Sequence, residues 1–347
     1  MKLLLKHFRS HKKLELDLNQ ITVIVGPNGS GKTNILEAIS FISAARSFRS
    51  DDKRTLIKDG ADFCQIRLAE LEVIISKVPR LMAAFKVNDV PKRIYDFVGL
   101  LPTVVFTPES LTIVTGSPSE RRRFMDLLLS QVSRDYLKAL IEYKKVLHRR
   151  NHLLACVADG ESQENELDFW DEKLSQSGDT IIKQREELIS YFAEELARVY
   201  KEIDPKKEEL IVSYHCQSGG PVLEKLKSRR ATELAARTTI FGPHRDDLKF
   251  FLNGHDASNY ASRGELRSIV MALKLAELKF IAKMKESDSD NEHSPILLLD
   301  DIFSELDEHH REHIYNLIKH QRTVLTTTEV GNLSKELVKE ATIIEIS

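Results

Sequence analysis

The chain has 347 residues, 41% apolar and 30% charged, with a formal net charge of −2. That length allows two lobes with separate cores, and the charge balance admits a nucleic-acid partner only if positive charge gathers on one face. No apolar run approaches the roughly 18 residues of a membrane span, and the apolar start is too short for a signal peptide. Three scattered cysteines, Cys64, Cys156 and Cys216, fit a reducing cytoplasm without a disulfide framework.

In chain order, the N-terminus predicts strand, turn, strand. The β-branched run Ile21–Val25 predicts a buried strand, followed by a glycine-rich turn and a helix over 32–45. Alternation over 62–87 predicts two or three antiparallel strands, and 103–107 another. At Ser117-Pro118-Ser119-Glu120 a cap, a proline at the first helical position and a glutamate at the third open a helical pattern reaching residue 157. A polar loop leads to a second long helix ending before Pro205. At about 1.5 Å per residue each would span roughly 50–60 Å, as an antiparallel arm. Further on, the pattern predicts a strand at Leu210–His215, a turn at Gly219-Gly220-Pro221, a helix to Arg237 and a hairpin-like stretch with 249–252. An amphipathic helix over 265–284 precedes a polar linker at 286–294. Strands at 296–299, Thr323–Thr327 and 343–346, with one helix among them, complete the chain.

Gly26-Pro27-Asn28-Gly29-Ser30-Gly31-Lys32-Thr33 satisfies the phosphate-loop pattern G-x-x-x-x-G-K-[ST], between a buried strand and a helix. Glycines let the backbone N–H groups turn inward and phosphate oxygens come close. Lys32 can reach the β- and γ-phosphates of ATP, and Thr33, opening the helix, can ligate Mg²⁺. The strand 296–299 delivers Asp300 and Asp301 at its carboxyl end, where ligands of parallel sheets sit. Asp300 suits the metal, and Asp301 suits the base that polarises an attacking water.

Ala261-Ser262-Arg263-Gly264-Glu265-Leu266-Arg267 has two readings. Ser262 and Glu265 form a capping box on an amphipathic helix. The same residues fit an ABC signature, in which Ser262, Arg263, Gly264, Glu265 and a helix N-terminus meet a γ-phosphate held by the opposite subunit. The order phosphate loop, helical insertion, signature, acidic strand favours the second. Basic clusters at Arg46/Arg49/Lys53/Arg54, at 121–123, at Lys144/Lys145/Arg149/Arg150 and at 225–230 could hold a DNA backbone, which needs aligned charge and no base-reading motif. The DNA candidates are Arg121, Arg122, Lys144, Lys145, Arg149 and Arg150. Arg9 fits either an approach to the nucleotide or a surface hairpin. His244-Arg245-Asp246-Asp247 is assigned only to a loop.

Eight segments together resemble the RecF family of bacterial recombination mediators: FRS (8–10), GPNGSGKTN (26–34), RSFR (46–49), FTPESL (106–111), GSPSERRRFMD (116–126), FGPHRDDL (241–248), ASRGELR (261–267) and LLLDDIFSELD (297–307). The resemblance implies an α/β fold: an ABC-type P-loop ATPase head with a second lobe containing a short antiparallel helical arm. Residues 1–115 and 290–347 would form the first lobe, and 116–289 the second. It implies ATP and Mg²⁺ as cofactors, with Asn34 completing the nucleotide loop and Ser304 and Asp307 in a dimer-contact loop. It further implies an ATP-dependent homodimer, weak DNA-stimulated hydrolysis, binding to double-stranded DNA and to single-strand/double-strand junctions, and cooperation with RecO and RecR in loading recombinase at gaps. No membrane partner is expected. Asp301 stands where many ABC proteins have glutamate, so slow turnover is expected. Glu265 replaces a common glutamine, and Thr327 a common histidine of transporters.

Overall fold

The computed structural model describes residues 1–204, 209–217, 219–286, 294–304 and 306–347. Pro205, Glu305 and the polar stretch 287–293 lie outside them. By packing, the described residues divide into two compact units, Met1–Ser110 with Lys274–Ser347, and Leu111–Leu273. The second crossing falls inside a continuous helix, α10 (Arg263–Glu286), and not at a polar linker. A helix can leave one core and enter another without any break in composition.

The first unit holds two sheets. One is antiparallel, in the order β2-β1-β4-β5-β6-β7, built from β1 (Lys2–Phe8), β2 (His11–Asp17), β4 (Phe63–Leu68), β5 (Leu71–Ser76), β6 (Met82–Val87) and β7 (Val90–Lys92). The other is parallel, in the order β14-β3-β13-β12-β8, from β3 (Ile21–Val25), β8 (Thr103–Phe106), β12 (Ile296–Asp300), β13 (Thr323–Thr327) and β14 (Thr342–Glu345). A parallel sheet is covered on both faces, and β12 is accordingly buried at every position. Helix α1 (Lys32–Ala44) touches both sheets and is buried around most of its circumference, which is why its sequence lacks a broad polar face. Ile35, Ile39, Phe41 and Ile42 of α1 join Leu3, Leu5, Ile66 and Val73 of the antiparallel sheet in one core. Short helices α2 (Ile94–Phe97), α11 (Glu308–Ile318) and α12 (Lys335–Glu340) complete the unit.

The second unit opens with α3 (Thr112–Thr115), a single turn, and α4 (Pro118–Val132). The side chain of Glu120 reaches back to the Ser117 N–H at 2.9 Å, the expected capping box. The helical pattern is not continuous to residue 157. It breaks at Ser133, whose backbone is extended and whose Oγ caps a new helix, α5 (Arg134–Ala158), by accepting from the Tyr136 N–H at 3.1 Å. Helix α5 therefore spans only about 38 Å, while its partner α6 (Leu167–Ile203) reaches about 55 Å. The two pack along each other after a reversal at 159–166. Helices α7 (Val222–Ser228) and α8 (Arg230–Ala236) divide the single helix expected there. A small antiparallel sheet, β9 (Leu210–His215), β10 (Asp247–Leu252) and β11 (His255–Asp256), and one turn of helix, α9 (Ala257–Tyr260), lead into α10. No helix among the described residues is long and apolar enough to cross a membrane.

Candidate nucleotide site and signature loop

The phosphate loop joins β3 to α1. Two of its glycines are sterically required. A Cβ at Gly26 would lie 2.3 Å from the Ile346 carbonyl oxygen, and one at Gly31 would lie 2.6 Å from the His11 ring, on a backbone already at φ +93°. No side chain caps α1, so its N-terminus keeps the partial positive charge that favours an anion. The Lys32 ammonium is buried and donates to the carbonyls of Gly26 and Pro27 at 2.6 and 2.9 Å. Ser30 Oγ is buried without a hydrogen-bond partner among the described residues. An ammonium satisfied only by its own loop, beside an unmatched hydroxyl, is polar equipment suited to an anionic ligand.

Strand β12 carries its two aspartates to the same place. Asp300 Oδ1 accepts from Thr33 Oγ1 at 3.0 Å and from Thr326 Oγ1 at 2.7 Å. A threonine hydroxyl and a carboxylate are hard oxygen donors of the kind Mg²⁺ takes, so this pair fits the metal. Asp301 follows in the left-handed region at φ 50°. Its N–H is held by the Thr326 carbonyl at 3.3 Å and hydroxyl at 3.0 Å. Ser304 Oγ donates to the Asp301 carbonyl at 2.7 Å. Asp307 caps α11 through the His310 N–H at 2.9 Å. Partial burial opposes ionisation of Asp307, but the His310 backbone and ring outweigh it and hold the carboxyl below its usual range. Thr327 turns its hydroxyl to the Glu329 carbonyl at 3.0 Å.

Glu37, which the sequence pattern does not single out, is fully buried on α1. Arg9 forks onto it at 2.8 and 2.5 Å, Ser47 donates to it, and Arg49 stands 3.5 Å away. Arg9 thus sits in the β1–β2 hairpin turn with its guanidinium committed to an ion pair with buried Glu37. Asn34 is likewise engaged, donating to Ser10 Oγ and accepting from Arg49, both at 2.9 Å. Three sequence segments meet around one carboxylate that could have been suspected only as a lone acid on an otherwise apolar helix.

In the second unit the signature loop forms the N-terminus of α10. The Ser262 N–H donates to Glu265 at 2.5 Å, and Ser262 Oγ accepts the Glu265 N–H at 3.3 Å, so the capping box is real. It does not explain Gly264. A Cβ there would meet nothing closer than Ser262 Oγ at 4.0 Å, and its backbone is not left-handed. Glycine in a helix interior costs about 1 kcal/mol against alanine, and at Gly264 no described residue fills the space the missing Cβ leaves. Ser262, Arg263 and Gly264 are all exposed.

Two expected DNA contacts are corrected. Arg150 has no exposed surface. It donates to Asp171 and Glu233, each at 2.6 Å, and to Thr239 at 2.7 Å. Arg121 is buried and forks onto Asp247 at 2.7 and 2.9 Å. Arg122 is half-buried, with one nitrogen on the Asp246 carbonyl at 2.8 Å. On the exposed face of α5, Lys144 lies 3.6 Å from Asp126, Lys145 3.8 Å from Glu142, and Arg149 stacks over Trp170 at 5.5 Å. Arg121 and Arg122 clamp the loop 241–248, as does Arg185 of α6 through the Pro243 carbonyl at 2.7 Å. Asp246, fully buried, accepts from Tyr214 and from the Gln217 N–H.

His244 sits in that loop between Tyr143 Oη at 2.6 Å and the Thr239 carbonyl at 3.1 Å. Burial brings its imidazole down to about 4; the Thr239 carbonyl opposes this, and Arg245 and Arg122 add to it. In the unfolded chain the ring titrates near 6.5, so on acidification the unfolded state takes up the proton first. Its contribution to stability is therefore present above pH 6.5 and is lost as pH falls toward 4, by up to about 1.4 kcal/mol per unit. In urea titrations at pH 7 and pH 5, His244→Gln should lose less stability on acidification than the wild type.

A phosphate loop between a buried parallel strand and a buried helix, with an acidic strand hydrogen-bonded to it, defines a P-loop ATPase head of the ABC type. The family model described as the RecF/RecN/SMC N terminal domain matches residues 1–344. The DNA replication and repair protein RecF of Halalkalibacterium halodurans is 36% identical over an alignment covering 99% of this chain and 96% of the relative. For RecF of Moorella thermoacetica the identity is again 36%, with 98% and 93% covered. A solved structure of the recombination mediator protein RecF with ATP, in the RecFOR pathway, matches with TM-score 0.88 at 29% identity, covering 99% of this chain and 94% of that one. An Smc head bound to the winged-helix domain of ScpA matches at 0.52 with 16% identity, a likeness of fold alone. The chain belongs to the RecF family of DNA replication and repair proteins.

Proposed function

We propose that this protein binds ATP with Mg²⁺, closes into an ATP-bridged homodimer on double-stranded DNA and at its junctions with single strands, and hydrolyses ATP slowly under DNA stimulation. In the cytoplasm it works with RecO and RecR to load recombinase at gaps. The observation that carries the reading is Gly264, a glycine with no local purpose on an exposed helix N-terminus, beside a serine in signature position. No described residue fills that space, and a ligand from outside the chain would use it. Lys32 leaves its loop carbonyls for the β- and γ-phosphates. Thr33 and Asp300 would hold the metal, which when bound would supply charge neutralisation for the phosphoryl oxygens. Asp301 takes up the proton of the attacking water. Ser262 and the amide of Gly264 complete the γ-phosphate site of the opposite subunit, and Ser304 and Asp307 line the dimer contact.

The deciding experiment is molecular mass in solution with and without ATP·Mg²⁺ for the wild type, Ser262→Arg and Asp301→Asn. ATP should produce a dimer that Ser262→Arg cannot form; monomers throughout would return the signature to an ordinary helix cap. Gly264→Ala separates the two roles further. It should keep or slightly raise Tm, since the methyl meets no neighbour, yet weaken ATP-dependent dimerisation at least tenfold.

For DNA, Lys144, Lys145 and Arg149 on α5, with the half-buried Arg122 on α4, remain the contacts proposed. Log affinity for a duplex should fall linearly with log salt, and Arg149→Ala should lower the slope by about one across unrelated sequences. A flat salt response would sink the electrostatic reading.

A further inference from the structure

We infer that Tyr260 is the stacking platform for the adenine base of the nucleotide held by a second copy of the chain, an inference that rests on the ATP-bridged dimer proposed above. Tyr260 is 73% exposed, more than any other large apolar or aromatic side chain among the described residues. It is not a loose side chain. It ends the single turn α9, whose start is fixed by Asp256 accepting from Ser258 N–H at 3.0 Å and Ser258 Oγ at 2.6 Å, and whose Ala257 is fully buried. The His255 ring supports it from the side, with centroids 5.1 Å apart at 40°. The turn that carries it is fixed, so the exposed ring is placed to receive the face of a ligand.

The chemistry of that partner follows from the surroundings. The next residue, Ala261, is extended at φ −70°, ψ 136°, and leads directly to Ser262. Two residues of extended chain cover at most about 7 Å, so the ring stands within one side chain's reach of the proposed γ-phosphate contact. On this inference, a nucleotide whose γ-phosphate meets Ser262 would lay its base against that ring. The residues flanking the ring are polar and exposed, Asn259, Ser262 and Arg263 among them. A lone ring in a polar setting suits one flat ligand with a polar rim better than the broad apolar face of a protein partner. The phosphate loop reads only the phosphates, so base recognition must come from elsewhere, and an aromatic face gives it by stacking.

The test measures the ATP concentration for half-maximal dimerisation, by light scattering with Mg²⁺, for the wild type, Tyr260→Phe and Tyr260→Leu. ATP affinity of the monomer is measured by calorimetry in a Ser262→Arg background with each Tyr260 variant. Phenylalanine should stay within about twofold of the wild type, whereas leucine, apolar but without a π-face, should raise the required ATP about tenfold or more. Monomer affinity should be the same for all three, because the ring acts across the interface. Leucine performing as well as phenylalanine would overturn the stacking and assign the ring to an apolar protein contact. Weaker monomer binding in Tyr260→Leu would overturn the action across subunits. Absence of an ATP-dependent dimer in the wild type would instead defeat the dimer reading itself, and the stacking with it.

Discussion

Arg150→Met should destabilise the unit built on α5 and α6 by about 3–5 kcal/mol, the scale for breaking a buried ion pair from one side. The guanidinium sits with Asp171 and Glu233 at zero exposure, 2.6 Å from each. Removing it strands Glu233 without a cation. Asp171 keeps Arg230 at 2.5 Å, but that arginine already serves Asp168 at 2.6 Å. For a unit of this size the change corresponds to a fall in Tm of roughly 6–20 °C, read by a thermal melt. The neighbouring Arg149→Ala, on the solvent side of the same helix, should shift stability by no more than about 0.5 kcal/mol. If Arg150→Met melted within about 2 °C of the wild type, the buried cluster would not be the clamp its geometry indicates.

Asp301→Asn should lower ATP turnover by about 10²–10⁴-fold, the usual contribution of a positioned general base, while the ATP-dependent dimer persists longer. The substitution is well suited to the question. Asp301 lies at φ 50°, a conformation in which asparagine is as comfortable as aspartate. Its backbone is pinned by Thr326 on one side and Ser304 on the other. Shape and local fold are therefore kept, and a loss of rate reports the missing proton acceptor. Phosphate release and dimer lifetime, measured on one preparation, give the two halves of the answer. Turnover at the wild-type rate would remove Asp301 from the base position.

The parallel sheet was legible because its strands are dense β-branched and leucine runs between turn residues; Ile21–Val25 and Thr323–Thr327 fall where the pattern puts them. The phosphate loop and its link to Asp300 were legible because spacing and context restrict that chemistry to few residue types. The direction of a charged side chain was not. Arg149 and Arg150 are neighbours in sequence but about 100° apart around a helix, so one stacks over Trp170 and the other is buried. A run of basic residues cannot announce which of them the core has taken. The break at Ser133 carries neither glycine nor proline, and the loop 241–248 draws its partners from three helices more than a hundred residues upstream to about sixty. Such long-range pairing leaves no local periodicity to read.

Much of the bracing of the nucleotide loop comes from strands more than 260 residues further along the chain. β3 lies between β13 and β14, Asp300 closes on Thr33, and the carbonyl of Ile346 packs against Gly26. During synthesis, then, the phosphate loop leaves the ribosome long before β12, β13 and β14, and cannot take its shape until they follow. The protein should be unable to hold ATP until those strands have been made, and fragments ending before them should carry no working nucleotide site with which to capture a complete partner.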